Sequence, residues 1–521
     1  MKQPNILLIT TDSQRWDTLS CMGSSFAISP NLDRLAHEGI LFEQGHTSSP
    51  VCSPARCSLL TGLHTPIHGC VENGFQRYEH FPTLPDRLKE KGYHNIMVGK
   101  THFGRIPDTF DVQHLVGEKF SNAMDCYGEY IQIHGYNRVS EYPNPIPEEL
   151  FIESFIVDKT IEEIEKYQLE NEKPFFAFCS MISPHEPIDP PGKWAELYED
   201  VELPELNYSE GEIAVLPEQI KALLGFSDYD PGQPLSQEVK IQDLYESHGA
   251  ILHKGILDKV NQLRKLYYGL AAYCDEQVGK LLRFLDKSGL RENTLVIFTS
   301  DHGIQLYDHG FNDKHNYYDA SWRVPFIMSM PGTLPSGKRE QFAIWNDIAP
   351  TILGAAGIQS DTMQGLDLFT PLKQGKPSPR RCAVATLFKS AALATASWKL
   401  EYYFDEGKGR LFDRKNDPLE RNDLYNSEEY SEIRNELVHA LLSWRADIMD
   451  LKFYHDSANV FQKQIAVYEE MVKPELKNTI APVARRATAA INSIKGWEAE
   501  ERLNQKVDQI EDSRNNHFLE I

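Results

Sequence analysis

Five residues, Cys52-Ser53-Pro54-Ala55-Arg56, bring a thiol, a proline and a guanidinium together. The run from Cys57 to Thr61 is apolar enough for a helix and stops at Gly62. Proline is favoured at a first helical position and glycine just past the last. The pattern therefore predicts a short helix with Cys52 at its N-terminus. Free N–H groups and the macrodipole favour an anion there. Arg56, one turn in, can fork two of that anion's oxygens. A lone cysteine is more often a buried structural residue, so its meaning depends on what else the chain brings to this point.

Four apolar runs without helical period each end in residues that can do chemistry. Asn5–Thr10 leads to Asp12, His94–Gly99 to Lys100 and His102, Pro174–Met181 to His185, and Thr294–Thr299 to Asp301 and His302. Singly, such an Asp is usually a turn or cap residue, and a lone Lys or His is usually solvated. The runs read as buried strands, joined by Ile40–Phe42 and Val324–Met330. They alternate with helical stretches at Leu32–His37, Leu84–Lys91, Phe151–Tyr167, Val260–Lys287 and Asp347–Ala356. That alternation predicts an α/β fold, a large, mostly parallel sheet sandwiched by helices. Ligands in such sheets bind beyond the carboxyl ends of the strands, so the four motifs should share one edge.

Together the residue types divide in two. Asp12, Asp301 and His302 suit a divalent cation, and mainly oxygen ligation favours Ca²⁺, Mg²⁺ or Mn²⁺. Arg56, Lys100, His102, His185 and Lys314 can surround an anion. A metal beside a cation cluster stabilises charge on a transferring phosphoryl or sulfuryl group. A thiol is an odd nucleophile beside a hard cation, which suggests that Cys52 does not stay a cysteine.

The 521 residues allow two domains, or one with an appendage. We expect a catalytic unit over 1–380, a smaller α+β subdomain over 381–455 with a small antiparallel sheet and a helix, and a helical extension over 456–521. That extension should pack on the body or on a second copy of the chain. Residues 103–148 read as a long loop region, and 188–255 as a surface excursion that could form a lid. A net charge of −23 argues against nucleic-acid binding and against long polyanionic substrates. No window approaches a membrane span. Met1–Thr10 does not read as a leader. The eight cysteines form no C-x-x-C pair, which predicts reduced thiols and a cytoplasmic protein.

Cys52-Ser53-Pro54-Ala55-Arg56, continued by Leu60-Thr61-Gly62, resembles the C-x-P-x-R-x-x-x-L-T-G signature of the type I sulfatases of the alkaline-phosphatase-like superfamily. Gly99-Lys100-Thr101-His102, Pro184-His185-Glu186-Pro187, Ser300-Asp301-His302-Gly303 and Lys314 before Arg323-Val324-Pro325-Phe326 resemble further landmarks of that family. So do Ser29-Pro30-Asn31-Leu32, Asp347-Ile348-Ala349-Pro350-Thr351 and Leu411-Phe412-Asp413. Thr11 departs from the second Asp that many members carry; phosphonate monoester hydrolases share the single Asp.

The resemblance implies that a formylglycine-generating enzyme, a transient partner, oxidises Cys52 to Cα-formylglycine. It implies a metal site of Asp12, Asp301, His302 and position 52, with Ca²⁺ the first choice. Asp301 would take a proton from the attacking hydroxyl, Arg56 would hold the hydrated aldehyde, and Lys100 would steady sulfate. His185 and Lys314 would hold sulfate and protonate the leaving alcohol, and His102 would start sulfate release. The expected activity is hydrolysis of an O-sulfate ester of a sugar or small molecule. The alternatives are phosphonate or phosphate ester hydrolysis at the same site, or a non-catalytic binding protein on this fold. Asn73, His94, Arg105 and His68 are candidates for substrate contacts near the mouth.

Overall fold

The computed structural model describes residues 3–117, 125–139, 141, 143–171, 173–209, 211–224, 257–449 and 495–517. The parts of the expected excursion over 225–255 and of the extension over 456–494 lie outside the described residues.

Strands that are apolar on both faces must be covered on both, and the central sheet is. Its strands are β1 (Asn5–Asp12), β2 (Ile40–His46), β3 (His94–Gly99), β4 (Val112–Leu115), β5 (Phe175–Pro184), β6 (Thr294–Ser300), β7 (Phe326–Ser329) and β8 (Lys338–Ile344). They lie in the order β4-β3-β5-β1-β6-β7-β2-β8. β7 runs antiparallel to both neighbours, and the other neighbouring pairs are parallel. Side chains alternate across a strand, and β1 shows the result. Leu7 and Ile9 join the core under the Ile152–Glu170 and Leu257–Lys287 helices. Ile6 and Leu8 join the opposite core with Ala55, Leu59 and Leu60.

The last three residues belong to α2 (Cys52–Thr61), which follows α1 (Pro30–His37) in the chain and is buried along its whole length. The helix begins at Cys52 itself, so Pro54 is its third residue and not its first. Proline still fits, because the first four N–H groups of a helix have no partner within it. Gly62 ends α2 in the left-handed region at φ +66, and a Cβ there would stand 2.8 Å from Met363.

Three elements escape the sequence pattern. β4, Cys126–Ile133 and β8 have four, eight and seven residues. β4 is half-exposed, and β8 opens with Lys338-Arg339-Glu340-Gln341 and buries only Phe342-Ala343-Ile344, so neither carries a strand-length apolar run. The expected loop over 103–148 therefore contains a strand and a helix.

The carboxyl-terminal part forms a second, antiparallel sheet of β9 (Ala383–Leu387), β10 (Ser390–Ala394), β11 (Trp398–Tyr403) and β12 (Lys408–Asp413), in the order β12-β11-β10-β9. A helix over 431–449 and the terminal helix Glu498–His517 cover this sheet through Leu437, Trp444, Leu503 and Val507. The terminal helix is tied to the body at Glu500. That carboxylate receives His64 Nε2 at 2.7 Å, Trp444 Nε1 at 2.7 Å and Arg380 Nη1 at 2.5 Å, all buried.

Candidate active site

Sheet order places the chemistry. β3, β5, β1 and β6 are consecutive neighbours, and they are the four strands whose carboxyl ends carry the polar motifs. Gly99 pairs with Ser180, Thr10 with Ser180 and Thr11 with Ser300. Lys100, His185, Asp12 and Asp301 therefore leave the sheet side by side. Gly99 makes the exit of β3 possible. Its φ is +103, and a Cβ there would stand 1.9 Å from the Ser180 carbonyl oxygen.

Over this edge sits the N-terminus of α2. Arg56 donates from Nε to Asp301 Oδ2 at 2.9 Å, from Nη2 to Asp12 Oδ2 at 3.2 Å and from Nη1 to Ser180 Oγ at 2.8 Å. Lys100 Nζ lies 2.8 Å from Asp12 Oδ2. Both Oδ2 atoms are thus engaged by cations, and both Oδ1 atoms turn toward His302, whose Nε2 lies 3.9 Å from that of Asp12 and 3.7 Å from that of Asp301. Cys52 Sγ completes the group 3.1 Å from His302 Nε2. Lys314 Nζ stands 3.4 Å from Cys52 Sγ and 3.4 Å from His185 Nε2.

The electrostatics follow from burial and neighbours. Burial alone would raise the Asp12 carboxyl, but Lys100, His185 and Arg56 hold it well below the usual range. Asp301 is raised by burial and by the Asp12 charge. The Cys52 thiol would be raised by burial and Asp12, yet Lys314, His302 and Lys100 hold it well below an ordinary thiol. Burial opposes the charge on His185, but Glu186 beside it pushes the imidazole up to about 9.

Asp12, Cys52, Asp301 and His302 each offer one ligand atom within 4.8 Å of the others, and all are buried. The imidazole is set up for a cation. His302 Nδ1 lies 2.8 Å from the Gly303 carbonyl oxygen, which can only accept, so Nε2 is the nitrogen turned to the cluster. The donor set of two carboxylates and one imidazole fits a hard divalent ion once position 52 offers oxygen. Thr11 takes no part. It is buried beside the site, with Oγ1 3.5 Å from the Thr299 carbonyl.

The other expected residues separate. Asn73 comes to the site: its Oδ1 accepts the Ser53 N–H at 3.1 Å in the first turn of α2. His102 follows Lys100 in left-handed backbone at φ +50. His94 does not come. It opens β3 at the end away from Lys100, roughly 20 Å off at the rise of a strand. There it stacks on Tyr167 at 4.0 Å, with Nδ1 3.5 Å from Asp111. Arg105 is exposed and held by Glu79 and Asp108, each at 3.1 Å. His68 is buried beneath α2 against Ser58 Oγ at 3.0 Å, and burial pulls it down to about 3.

Two residues were missed. Ser180 receives both Thr10 Oγ1 and Arg56, and polar residues inside apolar strands were the available signal. Ser13 donates its N–H to Asp301 Oδ1 at 3.1 Å and its hydroxyl to Asp12 Oδ1 at 2.9 Å, and nothing local in the sequence announces this.

Comparison with known proteins agrees with this geometry. The sulfatase family model matches residues 4–358, and the model for the carboxyl-terminal part of N-sulphoglucosamine sulphohydrolase matches 307–447. An arylsulfatase of Clostridium perfringens is 29% identical over 473 residues, covering 82% of this chain and 92% of its own. An N-acetylglucosamine-6-O-sulfatase of Bacteroides thetaiotaomicron is 26% identical over 495 residues, covering 84% and 86%. Among solved structures, the phosphonate monoester hydrolase of Agrobacterium radiobacter matches with a TM-score of 0.73 at 24% identity, covering 85% of this chain and 96% of that one, a likeness of fold. Family membership implies a divalent metal and a formylglycine, and the buried donor group and Cys52 stand where these belong. The chain belongs to the sulfatase family and is a sulfuric ester hydrolase.

Proposed function

We propose that this sulfatase releases inorganic sulfate from an O-sulfated sugar or similar small alcohol. The observation that carries this reading is the ring of Arg56, Lys100, His185 and Lys314 around position 52, over two buried carboxylates. The N-acetylglucosamine-6-O-sulfatase relative supports a sugar, and the −23 net charge supports a small substrate over a long polyanion.

A divalent cation, Ca²⁺ by the oxygen-rich donor set, would be held by Asp12, Asp301, His302 and position 52, and would supply charge neutralisation and a more acidic nucleophile. Oxidation of Cys52 to formylglycine would supply a hydrated aldehyde, whose two hydroxyls divide attack from release. The remaining work belongs to the side chains. Arg56 fixes both carboxylates and thereby the position of the nucleophile. Asp301, raised by burial and by Asp12, takes the proton of the attacking hydroxyl. Lys100 and Lys314 hold sulfate oxygens against developing negative charge. His185 keeps Nδ1 on the Glu186 carbonyl at 2.8 Å, so Nε2 faces the site and can protonate the leaving alcohol. His102 takes the second hydroxyl's proton as sulfate leaves.

Eight cysteines, all free thiols, support a reducing compartment such as the cytoplasm, which cell fractionation tests. The reaction is tested by kcat/KM on an aryl sulfate and an aryl phosphonate with the same leaving group. The sulfate should turn over faster, and faster phosphonate turnover would replace this reading with the phosphonate hydrolase one. A panel of sulfated mono- and disaccharides identifies the alcohol.

A further inference from the structure

Glu153 is a buried carboxylate outside the cation and sulfate groups. It lies in the first turn of the Ile152–Glu170 helix and is closed off from solvent. Among the described residues its side chain makes one hydrogen bond, in which Oε1 accepts the Ser183 N–H at 2.9 Å. Burying a carboxylate for one neutral partner costs the fold free energy. The bond therefore earns its place by what Ser183 carries.

Ser183 carries the turn that presents His185. The His185 N–H donates to the Ile182 carbonyl at 3.1 Å and closes four residues into a turn. Ser183 and Pro184 are its two inner residues, and proline has no N–H. Ser183 is thus the only inner backbone donor, and Glu153 takes it. The Ser183 carbonyl accepts the thiol of Cys274, on the Leu257–Lys287 helix, at 3.5 Å. Two helices that share one core thus hold Ser183 at both its N–H and its carbonyl.

The imidazole is fixed to the same segment. His185 Nδ1 lies 2.8 Å from the carbonyl oxygen of Glu186, the next residue. Turn and ring are therefore one piece, and the hold on Ser183 sets where Nε2 stands. It stands 3.4 Å from Lys314 Nζ and 4.0 Å from Asp12 Oδ1. A misplacement of about 1 Å in such a group can cost about 10²-fold in rate.

We propose that Glu153 is the positioning residue of the leaving-group acid: by holding Ser183 it aims His185 Nε2 at the ester oxygen. This rests on the sulfatase reading above. As the S–O bond breaks, the ester oxygen keeps the electron pair, takes the Nε2 proton and departs as a neutral alcohol. Cyclohexanol needs that proton, phenol needs it less, and 4-nitrophenolate is stable enough to leave without it. The test is kcat/KM on cyclohexyl, phenyl and 4-nitrophenyl sulfate with formylglycine-verified protein. Glu153→Leu removes the acceptor and should lower the cyclohexyl value about 10²-fold. The phenyl value should fall less, and the 4-nitrophenyl value should stay close to the wild type's. Glu153→Gln keeps a carbonyl oxygen for Ser183 and should restore the wild-type ratios. Glu153→Asp draws the acceptor back by one methylene and should fall between, which reads the same ratios where the leucine variant does not fold. Equal losses on all three esters, or no loss on any, overturn the role of Glu153. So does a glutamine variant as selective in its losses as the leucine one. A wild type without turnover on any of the three overturns the sulfatase reading, and the role of Glu153 with it.

Discussion

The guanidinium of Arg56 donates from Nε to Asp301 Oδ2 at 2.9 Å, with both side chains closed off from solvent. The same fork reaches Asp12, so one residue of α2 spans the ends of the adjacent strands β1 and β6. A single ammonium cannot make both contacts at once. Arg56→Lys should therefore lower kcat/KM by about 10²–10³-fold. It should also lower the thermal midpoint, because breaking a buried pair costs about 3–5 kcal/mol. Steady-state kinetics and thermal unfolding check both, and wild-type kinetics in the variant would remove Arg56 from the mechanism.

Two buried carboxylates facing one imidazole call for a cation. Dialysis against a chelator should abolish turnover, and Ca²⁺ should restore it. Added Ca²⁺ at 100 times its Kd should stabilise the fold by about 2.7 kcal/mol. Asp12→Asn should lose this shift in the melting curve. A melting curve indifferent to every divalent ion would exclude the proposed site.

The proposed mechanism requires position 52 to be oxidised. Peptide mass analysis of active protein should find an aldehyde at residue 52, and Cys52→Ser should lower kcat by at least about 10³-fold. Full activity in protein that carries only the thiol would discard the mechanism.

Gly99 holds β3 against β5 at a φ that side chains rarely adopt. Gly99→Ala would drive a methyl group into the Ser180 carbonyl and displace Lys100. Stability should fall by at least about 1–3 kcal/mol, with kcat/KM falling in parallel. An unchanged melting curve would contradict the geometry.

Acid should loosen the terminal helix. Burial alone would raise the Glu500 carboxyl, but Arg380 and His64 bring it down to about 2 from an ordinary value of 4.5. A depressed carboxylate stabilises the fold fully above its unfolded pKa and loses that contribution as pH falls toward its folded pKa. The contribution is about 3 kcal/mol. It is complete above about pH 4.5 and gone near pH 2. Glu500→Gln should be less stable than the wild type at pH 7, and the gap should close on acidification through that window. A gap that stays constant with pH would assign the loss to packing.

The proposed site was legible because each of its parts is local. A buried strand followed by Asp12, or by Lys100 and His102, is visible in eight or nine residues, and the rule for parallel sheets puts such ends at one edge. The helix of Cys52 was legible from Pro54 and Gly62, though its first residue was misplaced by two. Edge strands were not legible, since β4 and the start of β8 face solvent and show no apolar run.

His94 marks the limit of such reading. A histidine on the right strand lies at its wrong end, and only strand direction and length reveal that. Ser13 carries no local signal, because its partner Asp301 lies more than two hundred residues away. The sequence by itself determined which residue types were available, and the local backbone that presents them. The tertiary structure alone decided that β3, β5, β1 and β6 are neighbours, that Arg56 takes both Oδ2 atoms, and that the two Oδ1 atoms face His302. Those relations depend on long-range strand pairing and on the packing of α2, and no window of sequence contains both partners.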